Sequence, residues 1–210
     1  AGPLQEESAT EIPPEETTPP DFAVSFSGGR LGSGDGEYRN MYAFAALTSE
    51  GEIASWGRYS NSGSGIPVGE GYTQIFSNEG AFAALDEAGS ISSWGISSYG
   101  GIGAPVGTGY TSIFSTGRAF AALDEAGLIT PWGDLNRGGS GAPTDLGYTR
   151  IFSNEYAFAA LSADGTISSW GNSDLGGEGA PAGSGFIQIA STQRAFAALN
   201  SDGTIMSWGD

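Results

Sequence analysis

Five acidic residues stand in recurring short turns of the chain: Glu50, Asp86, Asp124, Asp164 and Asp202, each one to three positions before a glycine. If the segments carrying them are equivalent, they make a ring of negative potential at one rim, an arrangement suited to divalent cations. Paired carboxylates also serve glycoside hydrolysis, but that chemistry needs a pocket that separates their pKa values, and acids repeated at turn tips have none. Nor is there an Asp-x-Asp-x-Asp-Gly calcium loop. The five acids therefore read as turn formers, and the chain as non-catalytic and without a cofactor. Cysteine and histidine are both absent, which excludes disulfides, thiol nucleophiles, Cys/His zinc sites and the imidazole base. The glycine-rich runs Gly100–Gly103 and Gly176–Gly179 lack the following helix and the lysine of a phosphate loop, and read as turns.

A second recurring set is aromatic: Trp56, Trp94, Trp132, Trp170 and Trp208, with Phe44, Phe82, Phe120, Phe158 and Phe196. An aromatic set could stack on sugars, as in five-bladed lectins. Recurrence in every copy is instead what a packed core requires, and the ten residues are assigned to it.

The elements that position these residues follow from the repeat. The five Trp are spaced by 38 residues throughout, without an insertion. Each unit carries AFAAL-xxxG-x-I-xx-WG, as in residues 81–95 and 157–171, and the stretches between units recur as well, as in residues 101–118 and 139–156. Period-2 alternation in Tyr-Thr-x-Ile-Phe-Ser and Ala-Phe-Ala-Ala-Leu predicts two strands, and Ile-x-x-Trp-Gly a shorter third, so each unit is an antiparallel meander. The tip glycines supply the positive φ of a hairpin, and the Gly-Gly and Ala-Pro stretches after each Trp carry the crossover. Such a meander cannot bury its faces alone, so the units stack, and the fold class is all-β: five repeats in a β-propeller or an open repeat spiral.

This pattern of Ala-Leu-x-x-x-Gly-x-Ile-x-x-Trp-Gly with a Gly-rich stretch resembles the blades of the regulator-of-chromosome-condensation-type superfamily, especially its short-blade bacterial branch that includes the propeller-shaped β-lactamase inhibitor protein. The resemblance covers residues 34–210. It implies a propeller that captures a protein or a glycan. Members of that family close with about seven blades, against five units here.

The formal charge is −17, with seven arginines spread singly and no lysine. Phosphate backbones are repelled by such a chain, so no nucleic-acid partner is expected. No apolar run approaches the roughly 18 to 20 residues of a spanning helix, so membrane insertion is not expected either. Residues 1–21 form an acidic, proline-rich tail ahead of a propeller domain at 22–210 that is large enough for one sizeable core. In polyproline II form about 20 residues reach roughly 60 Å. Leu4, Ile12 and Phe22 are the apolar anchors of this tail, and Pro13, Pro14, Pro19 and Pro20 limit the entropy lost on docking. The expectation is a secreted or cell-surface structural subunit whose tail docks on a neighbouring copy to build a filament, with Phe22–Ser27 filling a strand position beside Trp208. A secreted propeller that binds a protein or glycan is the alternative.

Overall fold

The structure, a computed structural model, describes residues 38–58 and 65–210. The tail anchors Leu4, Ile12, Pro13, Pro14, Pro19, Pro20 and Phe22, the run Phe22–Ser27 and the boundary between residues 21 and 22 lie outside the described residues.

The predicted three-stranded meander forms in the second to fifth units. The first unit contributes β1 (Ala43–Leu47) and β2 (Ile53–Gly57), paired antiparallel with Phe44 opposite Trp56. Three strands follow in each later unit. They are β3 (Tyr72–Ser77), β4 (Ala81–Asp86) and β5 (Ile91–Gly95) in the second, then β6 (Tyr110–Ser115), β7 (Ala119–Asp124) and β8 (Ile129–Gly133) in the third. The fourth holds β9 (Tyr148–Ser153), β10 (Ala157–Ser162) and β11 (Ile167–Gly171), and the fifth β12 (Phe186–Ser191), β13 (Ala195–Asn200) and β14 (Ile205–Gly209). Each of the four three-stranded sheets has its Ala-Phe-Ala-Ala-Leu strand in the centre. Pro131 falls in β8, an edge strand, where a missing N–H is tolerated.

Two local devices hold the sheets of the second, third and fourth units. The pairing of first and second strands slips near the first strand's entry, and there Thr73, Thr111 and Thr149 turn their hydroxyls to the Leu85, Leu123 and Leu161 carbonyls, at 3.1 Å each. Ile187 replaces the threonine in the last unit, so that slip has no side-chain donor. At the other end of the first strand, Asn78 closes the turn into β4: its Oδ1 accepts from the Gly80 and Ala81 N–H groups, and its Nδ2 donates to the Tyr99 carbonyl at 2.6 Å. Asn154 repeats this with Leu175, and Thr116 reaches the Arg137 carbonyl at 2.9 Å. These buried polar side chains tie each sheet to its own crossover, which begins with a short 3₁₀ turn at Ser97–Tyr99, Leu135–Arg137 or Ser173–Leu175.

The apolar core is divided into four layers, one between each pair of successive units, rather than gathered in one mass. In the second layer, Phe76, Ala81, Ala83 and Leu85 of one unit meet Ile113, Phe120, Ala122 and Trp132 of the next. The other three layers repeat this set at the same 38-residue step. Alanines on the donating face let the Phe/Trp pair of the following unit lie close. Within each pair the rings are stacked, with centroids 5.0–5.9 Å apart. The crossover glycines Gly100, Gly138 and Gly176 seal the layer. Their φ is +93° to +98°, a Cβ there would sit 2.6–2.8 Å from the next unit's Phe ring, and their carbonyls accept the next unit's Trp Nε1 at 3.0–3.1 Å.

The serial packing corrects one expectation. Phe82, Phe120, Phe158 and Phe196 and Trp94, Trp132, Trp170 and Trp208 are buried, but Phe44 is 60% and Trp56 48% exposed. A Phe/Trp pair is covered by the unit before it, and no described unit precedes the first. At the other end Ile205, whose counterparts lie under a following unit, is 69% exposed. The described residues form an open arc with two unlike ends.

Candidate functional site

The first strands of successive units lie against one another, β3 on β6, β6 on β9 and β9 on β12, which places them around the axis of the arc. Where these strands turn into the AFAAL strands, the backbone itself links the units. Met41 N–H donates to the Glu79 carbonyl, Glu79 to Gly117, Gly117 to Glu155 and Glu155 to Gln193, at 3.0–3.2 Å. One peptide per unit thus builds a hydrogen-bonded spiral about the axis. Beneath it, Ser115 Oγ donates to the Ser77 carbonyl and Ser153 Oγ to that of Ser115, at 2.8 and 2.6 Å.

The side chains on this spiral break the repeat. Units two and four turn with Asn-Glu (Asn78-Glu79, Asn154-Glu155), whereas units three and five turn with Thr-Gly-Arg (116–118) and Thr-Gln-Arg (192–194). Gly117 lies between the two glutamates and gives them room: a Cβ there would come within 2.8 Å of both Glu79 Oε1 and Arg137 Nη1. Arg137, projected from its 3₁₀ turn, fills that gap, with Nη1 3.2 Å from Glu155 and 3.9 Å from Glu79, and its guanidinium over the Tyr156 ring. Arg118 donates to Glu79 at 3.3 Å and stacks on Tyr99, with 36% of its side chain exposed. Gln193 Nε2 donates to the other oxygen of Glu155.

The electrostatics follow from this packing. Partial burial raises the Glu155 carboxyl, but hydrogen bonds from Gln193, Tyr156 and Arg137 outweigh it and hold the group below the usual carboxylate range. Desolvation opposes the charge of Arg118, and the Glu79 hydrogen bond together with the charges of Tyr99, Glu79 and Asp134 more than restores it. Tyr38 enters beside the cluster, its N–H donating to Ser115 Oγ at 3.0 Å and its carbonyl accepting from Ser77 Oγ at 2.7 Å. Burial, and then the charges of Glu155 and Glu79, push its phenol well above the ordinary range, so it stays a neutral donor. The result is a preorganised, mixed-charge face at one end of the axis. Residue types and spacing alone did not bring these groups together; the alternation of Asn-Glu with Thr-x-Arg was the available signal.

The opposite rim carries the acids singled out by their spacing, each engaged in its own turn. Asp86 Oδ1 accepts from the Ala88 and Ser90 N–H groups at 2.9 and 2.8 Å, and Asp124 does the same with Ala126 and Leu128. Hydrogen bonds from Ser162 and Thr166 lower the Asp164 carboxyl, those from Thr204 lower Asp202, and Ser49 lowers Glu50. Among the described residues no three Asp or Glu side chains converge as they would on a cation. Nor is any helix among them long and apolar enough to cross a membrane.

No family model matches the sequence, and no curated protein does. Solved structures do. The chain superposes on the entire ectodomain of the receptor kinase CR4 from Physcomitrella patens with a TM-score of 0.59 and 23% identity, covering 81% of this chain and 50% of that one. For the CRINKLY ectodomain of the Arabidopsis thaliana receptor kinase ACR4 the TM-score is 0.56 at 15% identity, over 88% and 69%. For Prp20p of Saccharomyces cerevisiae, the yeast RCC1, it is 0.51 at 19% identity, over 80% and 56%. The fold is an RCC1-like β-propeller fold. This chain spans about half the length of the CR4 ectodomain and of Prp20p, in keeping with an arc of five units.

Proposed function

We propose that the protein is a non-catalytic, extracellular β-propeller module that binds a protein partner through its axial face. One observation carries this: a polar network that departs from the repeat, Glu79–Arg118–Arg137–Glu155–Gln193, is gathered on a single face around a glycine that makes space for it. Near-identical units need no such asymmetry in order to stack. Arginine with tyrosine is also the combination enriched where proteins meet, since both give large contact area with directed hydrogen bonds. Similar structures support the reading in kind. Two are receptor ectodomains, and Prp20p is described with binding properties toward Gsp1p and histones. Three-stranded units of 38 residues fit the short-blade bacterial branch of this fold.

A distinctive face favours a binding module over a filament subunit assembled through the N-terminal tail. The test is affinity capture from the extracellular fraction of the source organism, with parallel glycan-array screening, using the intact chain, Arg118→Glu and the rim variant Asp86→Asn. A protein retained by the intact chain and by Asp86→Asn, but lost with Arg118→Glu, is the expected result. A ligand lost equally with both variants, a glycan ligand, or no ligand at all would refute the proposal.

A further inference from the structure

Among the described residues the arc ends on two faces, and each carries part of a contact that the molecule makes four times internally. Every internal joint presses Ala, Ala, Leu and Ile of one unit (Ala81, Ala83, Leu85 and Ile91 in the second) onto the Phe/Trp pair of the next. The last unit presents Ala195, Ala197, Leu199 and Ile205 in the same register, with Ile205 exposed and the other three only half-buried. The first unit presents Phe44 and Trp56, stacked as in the other units, with centroids 5.9 Å apart, and exposed. The polar part of the first joint has a counterpart too, whereas in the other three joints the Trp Nε1 donates to a crossover glycine carbonyl. At the first joint, Trp94 Nε1 points to Ser55 Oγ at 3.5 Å. Ser207 is the counterpart of Ser55 in the last unit, opposite Ala197 as Ser55 is opposite Ala45, and it is exposed. The axial spiral runs from each unit's N–H to the next unit's carbonyl, so its two ends are the Gln193 N–H and the Met41 carbonyl, a donor and an acceptor.

We infer that the last unit of one copy packs on the first unit of a second copy, with Ala195, Ala197, Leu199 and Ile205 covering Phe44 and Trp56 in a fifth joint of the internal kind. The occupant is identified by its sequence: the surface that fits an exposed Phe/Trp pair appears four times inside this chain, and its fifth copy is exposed on the same molecule. Because the two surfaces differ, the contact is heterologous and propagates head to tail, closing only if the rotation per copy allows it. It requires neither the axial face nor the N-terminal tail. Copies carrying a formal charge of −17 repel one another, so association strengthens as salt shortens the screening length to about 8 Å at 0.15 M.

The experiment uses the 210-residue chain and two variants at exposed positions, Phe44→Glu, which blocks the head, and Ile205→Glu, which blocks the tail. Light scattering after size exclusion is run over a hundredfold range of concentration at 0.15 M salt, with circular dichroism confirming that each variant is folded. The intact chain is expected to exceed its 21.3 kDa monomer mass increasingly with concentration, and each variant alone to stay at that mass. An equimolar mixture of the two should give a species of twice the mass and no larger one, since each contributes one intact end. An intact chain that stays monomeric throughout, variants that assemble as the intact chain does, or a mixture that forms no dimer would overturn the inference.

Discussion

Identical substitutions at Phe120 and Phe44 are expected to differ severalfold in cost, although both residues occupy the same place in the repeat. Phe120 is fully buried, stacks on Trp132 at 5.1 Å and packs on Gly100, whose Cβ position is 2.8 Å from its ring. Removing such a ring from a filled layer costs about 3 to 5 kcal/mol, from lost transfer energy plus the cavity left behind. Phe44 keeps 60% of its surface in water. Full burial of a phenylalanine contributes up to about 3 kcal/mol, so the covered two-fifths is worth roughly 1 kcal/mol, and an exposed site leaves no cavity. The assay is urea denaturation followed by circular dichroism, at a concentration low enough to keep the chain monomeric. Phe120→Ala should lower the midpoint markedly and Phe44→Ala only slightly. Equal losses would refute the serial, open-ended packing, because they would require something to cover the first unit as completely as the others.

Further substitutions probe the remaining devices. Gly138→Ala meets both a positive φ of +93° and the Phe158 ring 2.6 Å away, whereas Gly141→Ala meets a φ of +82° in open space; the second should cost about 1 to 2 kcal/mol and the first clearly more, as compared by thermal melts. Asn78→Ala removes the acceptor of the Gly80 and Ala81 N–H groups and the donor to the Tyr99 carbonyl in a buried turn, a loss of about 3 kcal/mol or more at about 1 to 3 for each of the three groups, measurable by denaturant titration. Glu155 is held below its unfolded range, so its contribution is present above about pH 4.3 and fades as pH falls through the lower folded value. Stability curves between pH 5 and 2.5 should accordingly be flatter for Glu155→Gln than for the intact chain.

The fold was largely legible, because a constant 38-residue step with alternating Tyr-Thr-x-Ile-Phe-Ser and Ala-Phe-Ala-Ala-Leu leaves strand identity, register and stacking little freedom. Hairpin glycines and turn acids were legible for the same local reason: Asp86 and Asp124 bond within four residues of themselves. What the repeat could not show was where repetition ends. Phe44 and Trp56 match their counterparts residue for residue, yet their burial depends on a preceding unit, which the described residues do not supply, and sequence pattern carries no such information. The axial cluster was hidden for a related reason. Glu79, Arg118, Arg137 and Glu155 come from three units, their ion pairs join residues 18 to 58 apart along the chain, and only the curvature of the arc gathers them. The N-terminal tail remains a proposal about assembly that stands apart from both the axial face and the open ends.

The most direct test of the central claim is calorimetric titration of the captured protein partner into the intact chain, Gln193→Ala, Arg118→Ala and Asp86→Asn. Binding through the axial face should weaken about tenfold or more with Arg118→Ala, a loss of roughly 1.4 kcal/mol, should weaken measurably with Gln193→Ala, and should hold within twofold for Asp86→Asn on the opposite rim. Unchanged affinity for both axial variants, or a loss confined to the rim variant, would contradict the account.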